Sequence, residues 1–180
     1  MRGVALALAL CLPAPAFAAT TFLFGESAEG QACYEAAEAH DVTRGLPHCD
    51  AAIKDSDPMS PNLAASYVNR GILMISARRY RAAIEDFGHA LQLNPGQPEA
   101  YANRGNVNLL RGHAKAAIAD YTRAIAGNCP KLFVVYYGRA RAYDELGQIP
   151  EAIADLKAAL ALNPDFAEAQ AALDAYHELS

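Results

Sequence analysis

The chain has 180 residues, 53% of them hydrophobic, enough for about one domain with a packed core. Much of the apolar content is alanine, which suits close helix packing rather than a thick core. A formal charge of −5 and a pI near 5.5 exclude the basic stripe that a phosphate backbone needs, so no nucleic-acid partner is expected, and they disfavour attraction to an anionic membrane.

Residues 1–18 read as a signal peptide. Arg2 precedes the apolar run Val4 to Leu12, which is too short to span a bilayer, and Ala16-Phe17-Ala18 has the small-x-small pattern read before cleavage. Cleavage is predicted after Ala18, giving a periplasmic or secreted protein with no membrane insertion after signal removal. A lipid anchor at Cys11 is the competing reading, but Leu10 stands where a small residue is expected. Removing Arg2 leaves 14 basic against 20 acidic groups, a formal charge of −6. Residues 19–30, with Thr20, Thr21, Gly25, Glu26 and Ser27, lack periodicity and read as a flexible arm.

Beyond residue 63 the text repeats. Tyr67-Val68-Asn69-Arg70-Gly71 returns as Tyr101-Ala102-Asn103-Arg104-Gly105 and, loosened, as Tyr136-Tyr137-Gly138-Arg139-Ala140. Ala83-Ile84-Glu85-Asp86-Phe87 returns as Ala117-Ile118-Ala119-Asp120-Tyr121 and Ala152-Ile153-Ala154-Asp155-Leu156. Asn94-Pro95, Asn128-Cys129-Pro130 and Asn163-Pro164 close the units. A period of about 34 residues marks stacked units that bury their apolar faces only against neighbours. Ala83, Ile84, Phe87, Ala90 and Leu91 recur at helical spacing, and Gly112, Gly127 and Gly147 mark turns. Pro61, Pro98, Pro130 and Pro150 fall near helix starts. Asp165 and Glu168 have capping-box spacing and are expected to open a last helix reaching about Leu179.

These residues carry a resemblance to the tetratricopeptide repeat family. Tyr67, Gly71, Ala83, Phe87 and Pro95 match its pattern, as do Tyr101, Gly105, Ala117, Tyr121 and Pro130, then Tyr136, Ala140, Ala152, Leu156 and Pro164. Arg70, Arg104 and Arg139 depart from it, standing where leucine is preferred. The resemblance implies an all-α helix-turn-helix solenoid, a right-handed superhelix, with repeats at 64–97, 98–132 and 133–166 and a capping helix at 167–180. Counting back one period gives a degenerate repeat at 31–63, with Cys33 at the aromatic position, Ala37 at the small one and Cys49 at the opening of the second helix. This copy lacks packing aromatics and contains Gly45 and Pro47.

Cysteines are the first candidates for chemistry. In an oxidising compartment Cys33 and Cys49, on facing helices of the weakest unit, read as a disulfide, with two buried reduced thiols as the alternative. Cys129 is then left free beside Lys131, which favours a thiolate, but no histidine neighbours it. His40 and His48 with Cys33 and Cys49 match no zinc spacing, so no metal and no cofactor is expected. His113 and His177 read as solvated. Asp86, Asp120 and Asp155 recur in phase, as a scaffold does and an active site does not, and read as solvated or paired with nearby arginines. No nucleophile elbow, phosphate loop or zinc-protease motif occurs, so the protein is not expected to be an enzyme.

Similarity to the family implies that the first helices line a concave groove binding a peptide or partner helix. Its residues here are Val68, Asn69, Ile72, Ala102, Asn103, Asn106, Tyr137, Gly138 and Arg141. Asn69, Asn103 and Tyr137 are expected to contact the ligand, with Asn69 and Asn103 off the core and Arg141 supplying a cation. A subclass of the family clamps chaperone C-termini; Asn69 and Asn103 resemble part of that clamp, but Val68, Ile72, Glu99 and Gly138 break it, and that ligand is rejected. The expected function is a noncatalytic protein–protein interaction scaffold of the bacterial cell envelope. The alternatives are a structural protein that self-associates as a homo-oligomer and, more weakly, a thiol enzyme using Cys129.

Overall fold

The computed structural model describes residues 27–58 and 60–177, so the expected signal peptide, Cys11 and most of the expected arm lie outside the described residues. Among these, the secondary structure is wholly helical: α1 (Ala28–Glu38), α2 (Val42–Asp55), α3 (Pro61–Ser76), α4 (Tyr80–Leu93), α5 (Pro98–Leu110), α6 (Ala114–Ala126), α7 (Leu132–Glu145), α8 (Ile149–Leu162) and α9 (Ala167–His177). Helices pair in order, α1 with α2 through α7 with α8, and α9 covers α8. Successive first helices also touch, α1 on α3, α3 on α5 and α5 on α7, with no comparable contact between second helices. Closer spacing on one side curves the stack and makes the first-helix side its inner face.

Each full hairpin closes around a small residue facing a large one. A methyl carbon added to Gly71 would stand 2.6 Å from a ring carbon of Phe87, and one on Gly105 would stand 3.0 Å from Tyr121. The third repeat narrows the difference in size, with Ala140 and Leu156 sharing a core cluster. A fixed interhelical volume is thus filled in two ways.

The arginines that depart from the family pattern clasp the two helices of each repeat. Arg70, Arg104 and Arg139 each send Nε and Nη2 to the two carboxylate oxygens of Asp86, Asp120 and Asp155, at 2.6 to 3.0 Å. Each guanidinium also lies over the repeat's first tyrosine, 5.4 to 5.6 Å from the ring centroid. The aspartates are buried, which corrects their reading as solvated and bears out their pairing. Hydrogen bonds donated to the carboxylates hold all three guanidiniums above their ordinary pKa, against the opposing effect of burial.

The first hairpin is built otherwise. Ala36 and Ala52, both buried, occupy the positions equivalent to the arginine and aspartate, and one turn earlier Cys33 and Cys49 form a disulfide with their Cα atoms 4.7 Å apart. Closing a loop with a sequence separation of 16 stabilises by about 3 kcal/mol in the chain-entropy picture. Cys49 sits mid-helix rather than at the opening of α2, which also contains Gly45 and Pro47. Helix α1 starts at Ala28, inside the segment expected to be an arm, and Ser27 accepts a hydrogen bond from the Gly30 N–H at 3.1 Å. At the other end α9 begins at Ala167, two residues after Asp165, so the capping box is not realised.

Every turn inside a hairpin ends its first helix with one residue in the left-handed region. These residues are His40 (φ 54°), Arg78 (φ 57°), Gly112 (φ 73°) and Gly147 (φ 71°). At Arg78, the Arg78 N–H bonds the Ile75 carbonyl and the Arg79 N–H the Met74 carbonyl, both at 2.8 Å, the paired closure of a Schellman motif. Glycine suits this position; a residue with a Cβ pays roughly 1–2 kcal/mol there.

Candidate functional site

The inner face is made by α1, α3, α5 and α7, and close packing of these helices decides what it exposes. Val68 and Ile72 are fully buried in a cluster with Cys33 and Ala37 of α1 and Cys49 of α2. Ala102 is buried in a cluster with Val135 of α7. Asn69 and Asn103 are buried as well, so the expectation that they lie off the core is corrected. The physical reason is the sideways contact between first helices, which covers flanks that face away from the partner helix. Asn69 Oδ1 has no hydrogen-bond partner there, and a buried acceptor left unmet costs about 1–3 kcal/mol. Gly138 is buried against Tyr121, whose ring carbon Cζ would lie 2.7 Å from a methyl carbon placed on it.

What remains at the surface of the expected set is Tyr137 and Arg141, both half-buried, with Asn106 at their margin. Tyr137 is set by an edge-on contact with Phe166, ring centroids 5.2 Å apart. Asn106 Oδ1 accepts a hydrogen bond of 2.8 Å from the Tyr121 hydroxyl. Tyr121 comes from α6, on the outer layer, and its ring reaches between α5 and α7 because Gly105 and Gly138 have no side chains to block it. Burial raises its phenol above the ordinary value, and the nearby positive charge of Arg141 works against that rise. Asn106, Tyr121 and Arg141 therefore form a polar node on an otherwise packed face.

Sequence reasoning missed Tyr121 because it matches the family's packing aromatic. The available signal was its hydroxyl, absent from Phe87 and Leu156 at the same position in the other repeats. Glu99, in the first turn of α5, is also buried, and desolvation pushes its carboxyl above the usual range.

Cys129 is buried and disulfide-bonded, so the expectation of a free thiol is corrected, and the chemistry of an exposed thiolate has no support there. His48 pairs with Glu29 and His40 contacts Ser76. Among the described residues, no group of three or more histidine, cysteine, aspartate or glutamate side chains is placed to hold a metal ion. No helix there is long and apolar enough to cross a membrane.

Two tetratricopeptide repeat profiles match the chain, one over residues 68–132 and one over residues 133–166. The chain belongs to the tetratricopeptide repeat family. The solved structure of MamA superposes with a TM-score of 0.70 at 21% identity, covering 86% of this chain and 85% of MamA. PilW, a type IV pilus biogenesis factor, gives 0.69 at 24% identity over 78% of this chain and 63% of PilW. The first tetratricopeptide repeat domain of Spaghetti (RPAP3), bound to the HSP90 peptide SRMEEVD, gives 0.63 at 22% identity over 67% and 94%. These likenesses establish the fold. A search of curated protein sequences returns no match.

Proposed function

We propose that this tetratricopeptide repeat protein is a noncatalytic interaction scaffold of the bacterial cell envelope that holds a peptide or partner helix on its inner face. The observation carrying this reading is the node on α5 and α7, where Asn106 and Arg141 offer polar groups beside the half-exposed Tyr137 ring. Asn106 and Arg141 supply donors for a main chain or a carboxylate, and Tyr137 supplies apolar area at low entropic cost. Burial of Val68, Asn69, Ile72, Ala102 and Asn103 supports a ligand contact on the C-terminal half of the stack rather than over every repeat. Peptide binding by the RPAP3 domain supports the mode; its chaperone ligand is not carried over. The envelope location rests on the signal-peptide pattern of residues 1–18.

A photo-crosslinking residue at Tyr137, expressed in the full chain in a bacterial host, should trap a partner in the envelope fraction. The same residue at Lys157, exposed on the outer helix α8, should not. With that partner in hand, Arg141→Ala should weaken binding by about tenfold or more, the loss of one charge-assisted contact. Equal trapping at both positions, or unchanged affinity of the variant, would remove the inner face as the site.

A further inference from the structure

A second charged feature lies outside the inner face, on the rim formed by the turns within hairpins. The turn from α3 to α4 carries Arg78, Arg79 and Arg81, and the end of α5 brings Arg111 beside them. With Tyr80 and Glu85 they line an open depression of about 690 Å³. Its one carboxylate, Glu85, is bound to Arg81 at 3.2 Å. Among the described residues no ion pair engages Arg78, Arg79 or Arg111. An acidic chain with 15 basic residues thus gathers four of them around one cleft, a local positive potential that favours an anion.

Arg78 itself gives an independent indication. It holds the left-handed turn position that the next two repeats give to Gly112 and Gly147, so a long cation occupies a place where the backbone favours glycine. Strained positions of this kind cluster where a side chain is needed for binding. The neighbouring N-terminus of α4 has no side-chain cap, because Arg79 stands at the capping position. Its unsatisfied N–H groups add positive potential to the same cleft. The third repeat carries Asp144, Glu145 and Glu151 near the matching turn, so the positive sign belongs to the first two repeats and not to the rim as a whole.

We propose that this rim cleft docks an acidic segment of a partner protein, its carboxylates bridging Arg78, Arg79 and Arg111. The cleft is too open to enclose a small ligand, and a run of carboxylates on one chain engages several guanidinium forks at once. Four arginines at one spot on a net-acidic protein do not make the extended stripe that nucleic acid requires. The site is separate from the inner face, and its test is independent of the Tyr137 and Arg141 experiments.

The probe is a fluorescein-labelled oligoglutamate peptide, followed by anisotropy with the full chain at low and high salt. Binding should appear at low salt and weaken as salt rises. Arg78→Gly, which installs the residue of the sister turns, should reduce affinity about fivefold to tenfold while the melting temperature holds or rises. Arg111→Gln should reduce affinity similarly, and Arg123→Gln, an exposed charge on α6, should leave it unchanged. The proposal is overturned by absence of low-salt binding, by wild-type affinity in both cleft variants, or by an equal loss in the Arg123 variant. Tighter binding of a single-stranded oligonucleotide or of phosphatidylglycerol vesicles, lost in the same variants, would assign the cleft to another class of partner. Low-salt self-association seen by light scattering and abolished by Arg78→Gly would assign it to a second copy of the chain, and likewise overturns the proposal.

Discussion

Arg70 grips Asp86 with two nitrogens, Nε to Oδ2 at 2.9 Å and Nη2 to Oδ1 at 2.6 Å, and extends Nη1 to Asp50 of the preceding hairpin at 2.7 Å. Asp86 is buried and the arginine side chain is 22% exposed. Removing the acid therefore strands a poorly solvated cation. Asp86→Ala should destabilise the fold by about 2–3 kcal/mol, below the range for a fully buried pair because Arg70 keeps Asp50 and some water. Urea titration measures it, and a loss under about 0.5 kcal/mol would place the pair with ordinary surface bridges.

The small-to-large contact between Gly71 and Phe87 can be tested by the chain's own alternative. Gly71→Ala puts a methyl carbon 2.6 Å from the ring and should cost about 1–3 kcal/mol. Adding Phe87→Leu reproduces the third repeat's combination of Ala140 and Leu156, and should recover part of the loss. Thermal melts of the single and double variants decide this; a double variant less stable than both singles would mean that the hairpins do not share one packing volume.

Cys33→Ser with Cys49→Ser should lower stability by about 3 kcal/mol in oxidising buffer. Reductant should bring the wild type towards the variant and shift the variant less, since only the Cys129 bond remains in it. The same denaturation curve with and without reductant for the wild type would show that the cysteines are not joined in solution.

Glu99 gives a pH signature with a definite sign. Desolvation raises its folded-state pKa above 4.5, with a weaker opposing hydrogen bond from its own backbone N–H. The folded protein then binds this proton more tightly than the unfolded chain, so the contribution is intact below the unfolded pKa and is lost as pH rises through the folded one. Glu99→Gln should match the wild type in acid and exceed its melting temperature at neutral pH. Parallel melting profiles from acid to neutral pH would contradict this.

The all-α hairpin fold was legible because it depends on local rules: helical spacing, turn glycines, and a small residue opposite a large one at fixed separation. The Arg–Asp pairing was legible in part, since recurrence pointed to a helix face, but its burial was not. Inner-face exposure was misread at Val68, Asn69, Ile72, Ala102 and Asn103 for a different reason. How far one first helix covers the next depends on the curvature of the stack, and no residue spacing within a repeat records that. Arg78 escaped notice because a left-handed turn without glycine leaves no compositional mark. The Tyr121 hydroxyl was hidden by a residue type that packing alone explained.

The three clasps and the Cys33–Cys49 bridge all join residues sixteen positions apart. A molecule tied by links this short has low contact order, so each hairpin can close soon after its own residues are available, and ordering can spread from any of them as in a zipper. Loss of order should follow the same geometry, beginning at the terminal unit with a single neighbour. Amide hydrogen exchange would read this as protection falling from α5 and α6 towards α9, with the covalent staple holding the opposite end against fraying.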